Sequence, residues 1–129
     1  MKKIELKEIT KAQEDILKAV WEIETGAVTD VLDKLPEPKP AYNTVATVIK
    51  VLERKGYIGH KTYGKTNVYF PLVSRSDYAH HIVRDAFTGL FNKSLNQMVS
   101  PLIKNREIGI AELEELKQII ASEIKRQKK

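Results

Sequence analysis

Residues 36–73 read PEPKPAYNTVATVIKVLERKGYIGHKTYGKTNVYFPLV. Pro36, Pro38 and Pro40 bar helix at the start of this stretch, because each lacks an N–H and restrains the residue before it. A helix can then begin at Ala41 and run to Lys55, with Gly56 as a left-handed terminator. Val45, Val48, Ile49 and Leu52 form an inward stripe at helical spacing, while Asn43, Thr44, Thr47, Lys50 and Arg54 fall on the opposite side. Residues 57–62 and 67–72 are rich in aromatic and β-branched side chains. Between them lies Tyr63-Gly64-Lys65-Thr66, a turn in which glycine is free to take positive φ. A helix with one polar face, followed at once by a cationic hairpin, is the core of a winged-helix DNA-binding domain.

Upstream, Thr10 and Gln13 have the spacing of a capping box, so the first helix starts at Thr10. Ala12, Ile16, Leu17, Val20, Trp21 and Ile23 recur near the 3.6-residue period, and Gly26 is expected to stop this helix. Residues 27–35 predict a shorter amphipathic helix with Val28, Val31, Leu32 and Leu35 inward. Downstream of Pro71 the composition changes. Ser74 and Asp77 mark another helix start, followed by Ala79, Ile82, Val83, Ala86, Phe87, Leu90 and Phe91. Residues 93–109 predict a short helix interrupted at Pro101, and residues 110–125 a last helix with Ile110, Leu113, Leu116, Ile120 and Ile124 on one stripe. These C-terminal helices are too short to bury much core alone, so their apolar faces are expected to pair with a second copy of the chain. The predicted fold is mainly α with a small β-hairpin wing: a winged helix-turn-helix head (1–73) and a helical C-terminal dimerisation domain (74–129). Ile82, Val83, Phe87, Leu90, Phe91, Leu113, Leu116, Ile120 and Ile124 are the expected dimer contacts.

The chain has 129 residues, with 42% hydrophobic and 30% charged, an ordinary globular composition. Its N-terminus has two lysines but no apolar core behind them, so no signal peptide is expected, and no apolar run is long enough to span a membrane. There is no cysteine, which excludes disulfides and thiolate metal sites. A cytoplasmic protein is the expectation. The net charge is +5, and its placement says more than its size. Residues 38–65 hold Lys39, Lys50, Arg54, Lys55, Lys61 and Lys65 against the single acid Glu53, so this segment alone accounts for the whole net charge. A concentrated basic patch on an otherwise balanced chain points to a polyanion partner.

In a winged helix the third helix enters the major groove. Asn can pair bidentately with adenine, and Thr offers a hydroxyl and a methyl to thymine, so Asn43, Thr44 and Thr47 are the expected base readers. Lys39, Tyr42, Lys50, Arg54, Lys61, Lys65 and Asn67 are expected on the DNA backbone, where they add affinity without sequence information. His80 and His81 have Asp77 and Asp85 nearby, yet adjacent helical residues point about 100° apart, so no metal site or cofactor is expected. No phosphate-cradling glycine loop, cysteine nucleophile or histidine with a motif-spaced acid is present, so catalysis is not expected. Two rival readings keep the fold and change the role: a winged helix that docks proteins, and a regulator that senses a small ligand between head and arm.

The stretch LPEPKPAYNTVATVIKVLERKGYIGHKTYGKTNVYFPLVS, together with ITKAQEDILKAVWE around Trp21, resembles the penicillinase-repressor family of bacterial transcriptional regulators. Asn43-Thr44-Val45, the helix end Leu52-Glu53-x-Lys55-Gly56 and Tyr69-x-Pro71 occur in the family's order, and the likeness runs from about residue 9 to about residue 124. The resemblance implies a homodimer that sits on a palindromic operator and blocks transcription, with residues 41–55 as recognition helix. Copper-responsive members carry cysteine pairs near the C-terminus, which this chain lacks. Penicillinase repressors are cut in the C-terminal domain at an Asn-Phe bond by a protease acting through a membrane sensor. The matching positions here are Pro101 and Leu102, and a proline there restrains the backbone a protease must hold extended. The candidate proteolysis region, and a membrane-bound sensor protease as partner, are therefore expectations from the resemblance alone.

Overall fold

The computed structural model describes residues 6–129. The first five residues, part of the N-terminal stretch read above for a signal peptide, lie outside the described residues. The elements run α1 (Lys11–Ile23), α2 (Val28–Asp33), α3 (Tyr42–Arg54), β1 (Ile58–Tyr63), β2 (Thr66–Pro71), α4 (Arg75–Asp85), a π-helical turn (Ala86–Leu90), α5 (Leu95–Lys104) and α6 (Ile110–Gln127). The fold is mainly helical with one antiparallel hairpin. The chain forms two compact units, one ending at Val83 and the other Arg84–Lys129.

Local chemistry sets the ends of the head's helices. Thr10 Oγ1 accepts from the Gln13 N–H at 3.1 Å, and Gln13 Oε1 accepts from the Thr10 N–H at 3.0 Å, so the capping box closes in both directions. α1 stops at Glu24, whose φ is 68°, two residues before Gly26. Gly26 has a different task from the helix stop expected of it. A Cβ there would lie 2.9 Å from Asp30 Cβ and from Ile23 Cδ1, and its backbone exchanges two hydrogen bonds with Tyr69, at 3.0 and 2.7 Å. α2 is shorter than residues 27–35 suggested, and the Ala27 N–H at its start donates to Asp30 Oδ2 at 2.9 Å. Gly56 ends α3 with φ 87°, the left-handed conformation that glycine adopts without a Cβ clash.

In the hairpin, Ile58 pairs with Pro71, His60 with Tyr69, Thr62 with Asn67 and Tyr63 with Thr66. That register leaves a two-residue turn of Gly64 and Lys65. Gly64 takes φ 61°, as the first position of a tight hairpin turn with the native strand twist requires.

The core of this unit is one cluster. Leu17 and Val20 of α1, Val31 of α2, and Val45, Ile49 and Leu52 of α3 are fully buried, and Tyr57 and Ile58 close it from the hairpin side. Truncating a residue such as Ile49 to Ala would cost about 2–5 kcal/mol through lost transfer energy and a cavity. Tyr78, on α4, belongs to the same cluster. Ser74 Oγ accepts from the Asp77 N–H at 3.0 Å and starts α4. Tyr78 then packs 5.7 Å from Trp21 and 5.9 Å from Tyr57 by ring centroids, and its hydroxyl donates to Glu14 Oε2 at 2.6 Å. Trp21 Nε1 donates to the Val73 carbonyl at 2.8 Å, and the Arg75 guanidinium lies 5.2 Å above the Trp21 ring. Burial, reinforced by the Glu14 bond, pushes the Tyr78 hydroxyl up from its ordinary value. The Tyr78 bond, with Lys18 beside it, holds the Glu14 carboxyl below the usual carboxylate range.

The second unit is built differently. Ser94 Oγ accepts from the Gln97 N–H at 3.2 Å and starts α5. α5 then runs unbroken through Pro101, against the interruption expected there. The proline removes one N–H, but the cap and the helical stripe of Leu95, Met98, Val99, Leu102 and Ile103 carry the helix past it. The Asn105 N–H still donates to the Pro101 carbonyl at 3.0 Å. None of residues 84–129 is buried. Leu90 and Ile110 are each 80% exposed, and Ile119 and Ile120 are 58% and 57% exposed. Phe87, Phe91 and Leu113 are half-buried.

Candidate nucleic-acid interface

α3 turns its apolar stripe into the core, which drives Asn43, Thr44, Thr47, Lys50 and Arg54 to the surface, and all five are exposed. Tyr42, at the helix start, is half exposed. Thr47 Oγ1 donates to the Asn43 carbonyl at 2.9 Å, so its hydroxyl proton is already used. What Thr47 can offer a base edge is its methyl and the remaining lone pair of its oxygen.

The alternation of a strand sorts the wing residues. Cross-strand pairs His60–Tyr69 and Thr62–Asn67 point one way, and Gly59–Phe70, Lys61–Val68 and Tyr63–Thr66 point the other. The first face meets α3. Thr47, Lys50, Glu53 and Arg54 from α3, with His60, Asn67 and Tyr69 from the wing, line one open groove of about 460 Å³. Thr62 Oγ1 donates to Asn67 Oδ1 at 2.8 Å, and among the described residues the Asn67 amide hydrogens have no acceptor. Lys61 lines a smaller hollow on the opposite face with Thr25, Tyr63, Val68 and Phe70. Lys65 sits in the turn at the wing's tip, exposed.

The cations divide by what holds them. Lys39 Nζ donates to the carbonyls of Leu32, Asp33 and Leu35 at 3.2, 3.0 and 2.8 Å, so all three of its hydrogens close the C-terminal end of α2. Lys55 Nζ donates to the Glu8 carbonyl at 2.8 Å and to Gln13 Oε1 at 3.2 Å, fixing the segment before α1. Lys50, Arg54, Lys61 and Lys65 make no ion pair among the described residues, and these four are available to an anion.

The structure thus brings Thr47, Lys50, Arg54 and Asn67 together, sets Lys61 on the wing's other face, and turns Lys39 back onto α2. Sequence reasoning did not find the contact between His60 Nδ1 and Glu53 Oε2, which joins the wing to α3. Its one signal was that Glu53 is the lone acid in the basic segment. No group of three or more His, Asp or Glu that could hold a metal occurs among the described residues. Among them, too, no helix is long and apolar enough to cross a membrane.

Comparison with known proteins places this geometry. The sequence profile described as penicillinase repressor matches residues 9–122. The chain is 30% identical over 131 residues to the penicillinase repressor of Bacillus licheniformis, covering 99% of each chain. It is 23% identical over 114 residues to the methicillin resistance regulatory protein MecI of Staphylococcus aureus strain N315, covering 88% of this chain and 93% of that protein. The solution structure of the DNA-binding domain of the repressor BlaI matches with a TM-score of 0.50 and 25% identity, over 57% of this chain and 92% of that one.

Proposed function

This chain belongs to the penicillinase repressor family, and from that premise we propose that it is a cytoplasmic, homodimeric transcriptional repressor acting on a palindromic operator. The observation that carries the reading is the single surface formed by the polar face of α3 and the inner face of the wing, with Lys50 and Arg54 beside it unpaired among the described residues. Asn43, Thr44 and Thr47 read base edges in the major groove. Lys50, Arg54, Lys65 and Asn67 meet phosphates along the same approach, and Lys61 meets them from the wing's outer side. Tyr42 contacts the backbone at the helix entrance. Lys39 takes no part in this reading, because its hydrogens are committed to α2.

The exposed apolar side chains of α5, α6 and the turn before them support a dimer arm. Two-fold symmetry then requires half-sites separated by about whole helical turns. Release by proteolysis of the arm extends the same reading. Pro101 and Leu102 lie inside α5 and are exposed, so a protease has to unwind that helix before it can hold the chain extended. Incubation with a candidate sensor protease and mass-spectrometric mapping of fragments tests this, and an arm left intact over residues 101–106 removes it.

The primary test is binding to a duplex that the protein itself selects from a randomised library, titrated across salt. Tight, dyad-symmetric protection with a steep salt slope is expected. Weak, salt-insensitive binding, equal on selected and scrambled DNA, would leave a protein-docking winged helix instead.

A further inference from the structure

Glu53 lines the groove between α3 and the wing, and it is the only acid in residues 38–65. A carboxylate amid groups that meet phosphates opposes binding through simple charge repulsion. It is not loose there, because Glu53 Oε2 contacts His60 Nδ1 on β1. The His60 ring packs 5.6 Å from the ring of Tyr69, its cross-strand partner. Tyr69 is buried, and its backbone N–H and carbonyl both bond Gly26 between α1 and α2. A continuous line of contacts therefore runs from α3 through both wing strands to the α1–α2 turn. Ile58 and Tyr69 also pack in the core cluster with α3, but among the described residues the first link, Glu53 to His60, is the one side-chain hydrogen bond between α3 and a wing strand.

We propose that Glu53 is a positioning residue for operator selectivity: through His60 it fixes the wing against α3, and its charge lowers affinity for DNA in general. The inference rests on the DNA-binding reading above. A specific complex needs α3 and the wing tip in register at once, so any looseness between them has to be removed on binding, at a cost in entropy. A non-specific complex, held by phosphates in many registers, makes no such demand. Loss of the pair therefore weakens selected DNA relative to scrambled DNA. Loss of the charge alone raises affinity for both equally.

The two effects separate in three variants of the full-length protein, each measured on the self-selected duplex and on a scrambled duplex of the same composition, with thermal melting as a fold check. Glu53→Gln keeps an acceptor for His60 and drops the charge, so both affinities rise and their ratio stays within about threefold of wild type. Glu53→Ala drops both, and the ratio falls about tenfold. His60→Ala lowers the ratio to the same extent while leaving the carboxylate in place, and Glu53→Ala/His60→Ala together lower it no further than either alone. If Glu53→Ala shifts both duplexes by one factor, or Glu53→Gln loses the ratio as fully as Glu53→Ala, the positioning role is overturned. A lowered melting temperature with an intact ratio would make the pair merely structural and overturn it equally. Wild-type protein that does not distinguish the two duplexes would instead sink the repressor reading itself.

Discussion

At the level of single residues, side chains of like charge and similar exposure divide into those that face a ligand and those that hold the protein together. Thr47 and Lys65 belong to the first group on the reading above. Thr47→Ala should cost about 1–3 kcal/mol on selected DNA and little on scrambled DNA; equal losses on both would show that Thr47 does not read sequence. Lys65→Ala should weaken both alike and flatten the log–log salt slope by about one, and an unchanged slope would take Lys65 off the phosphate list. Lys39 belongs to the second group. Lys39→Met removes three donors from carbonyls at the end of α2 and just past it, where water replaces them only in part, so urea unfolding should show a loss of about 1 kcal/mol while the salt slope stays put. A flattened slope at unchanged stability would return Lys39 to the DNA. Sequence alone could not sort these lysines. Charge is visible in a string of letters, but the fold of a four-carbon stem back onto a helix end is not. The face of α3 that carries Asn43, Thr44 and Thr47 was visible, because the inward stripe of Val45, Ile49 and Leu52 determines which side is left over.

Elements were legible where their ends carry their own chemistry. Thr10 with Gln13, Gly56 after α3, Gly64 in the wing and Ser74 before α4 each satisfy local backbone needs that a sequence spells out. Pro101 misled for a related reason: a missing N–H is local, whereas the stripe that carries α5 through it spans the whole helix. Least legible was where the first turn of α4 packs: Tyr78 is part of the head's core, and its partners Glu14, Trp21 and Tyr57 are far away in sequence. That contact makes a test of the element. Glu14 is held below its ordinary value of 4.5, first by the Tyr78 hydroxyl and then by Lys18. A depressed carboxylate stabilises the fold above its unfolded pKa, and the contribution is lost as pH falls through the folded value. Tyr78→Phe should therefore destabilise the head by about 1–2 kcal/mol at neutral pH, and the difference from wild type should shrink as the pH drops below 4.5. A difference that stayed constant into acid would mean that the hydroxyl's contribution does not run through the ionised Glu14 carboxylate, and no difference at any pH would mean that the ring alone holds α4 to the core.

The whole molecule contains two kinds of surface. The first unit buries its apolar residues in one cluster, while the second, with none of its residues buried, leaves Leu116, Ile120 and Ile124 of α6 exposed at spacings of four, a single stripe along one helix. The stripe was visible as a period in the sequence; what covers it was not, because a second chain leaves no mark in the letters of the first. If that cover is another copy, Ile120→Asp places a charge where the seam must be dry and leaves the first unit's core untouched. Sedimentation velocity should then show a dimer for the wild-type chain and a monomer for the variant, with the melting of the head unchanged. Linking two heads makes the second half-site contact intramolecular, so the monomeric variant should lose at least about 100-fold on the dyad. Its affinity for an isolated half-site should match that of the wild-type chain. A variant that remained dimeric would place the seam elsewhere on the arm. A monomeric variant that bound the dyad undiminished would show that each head works alone, and the two-fold operator would lose its physical basis.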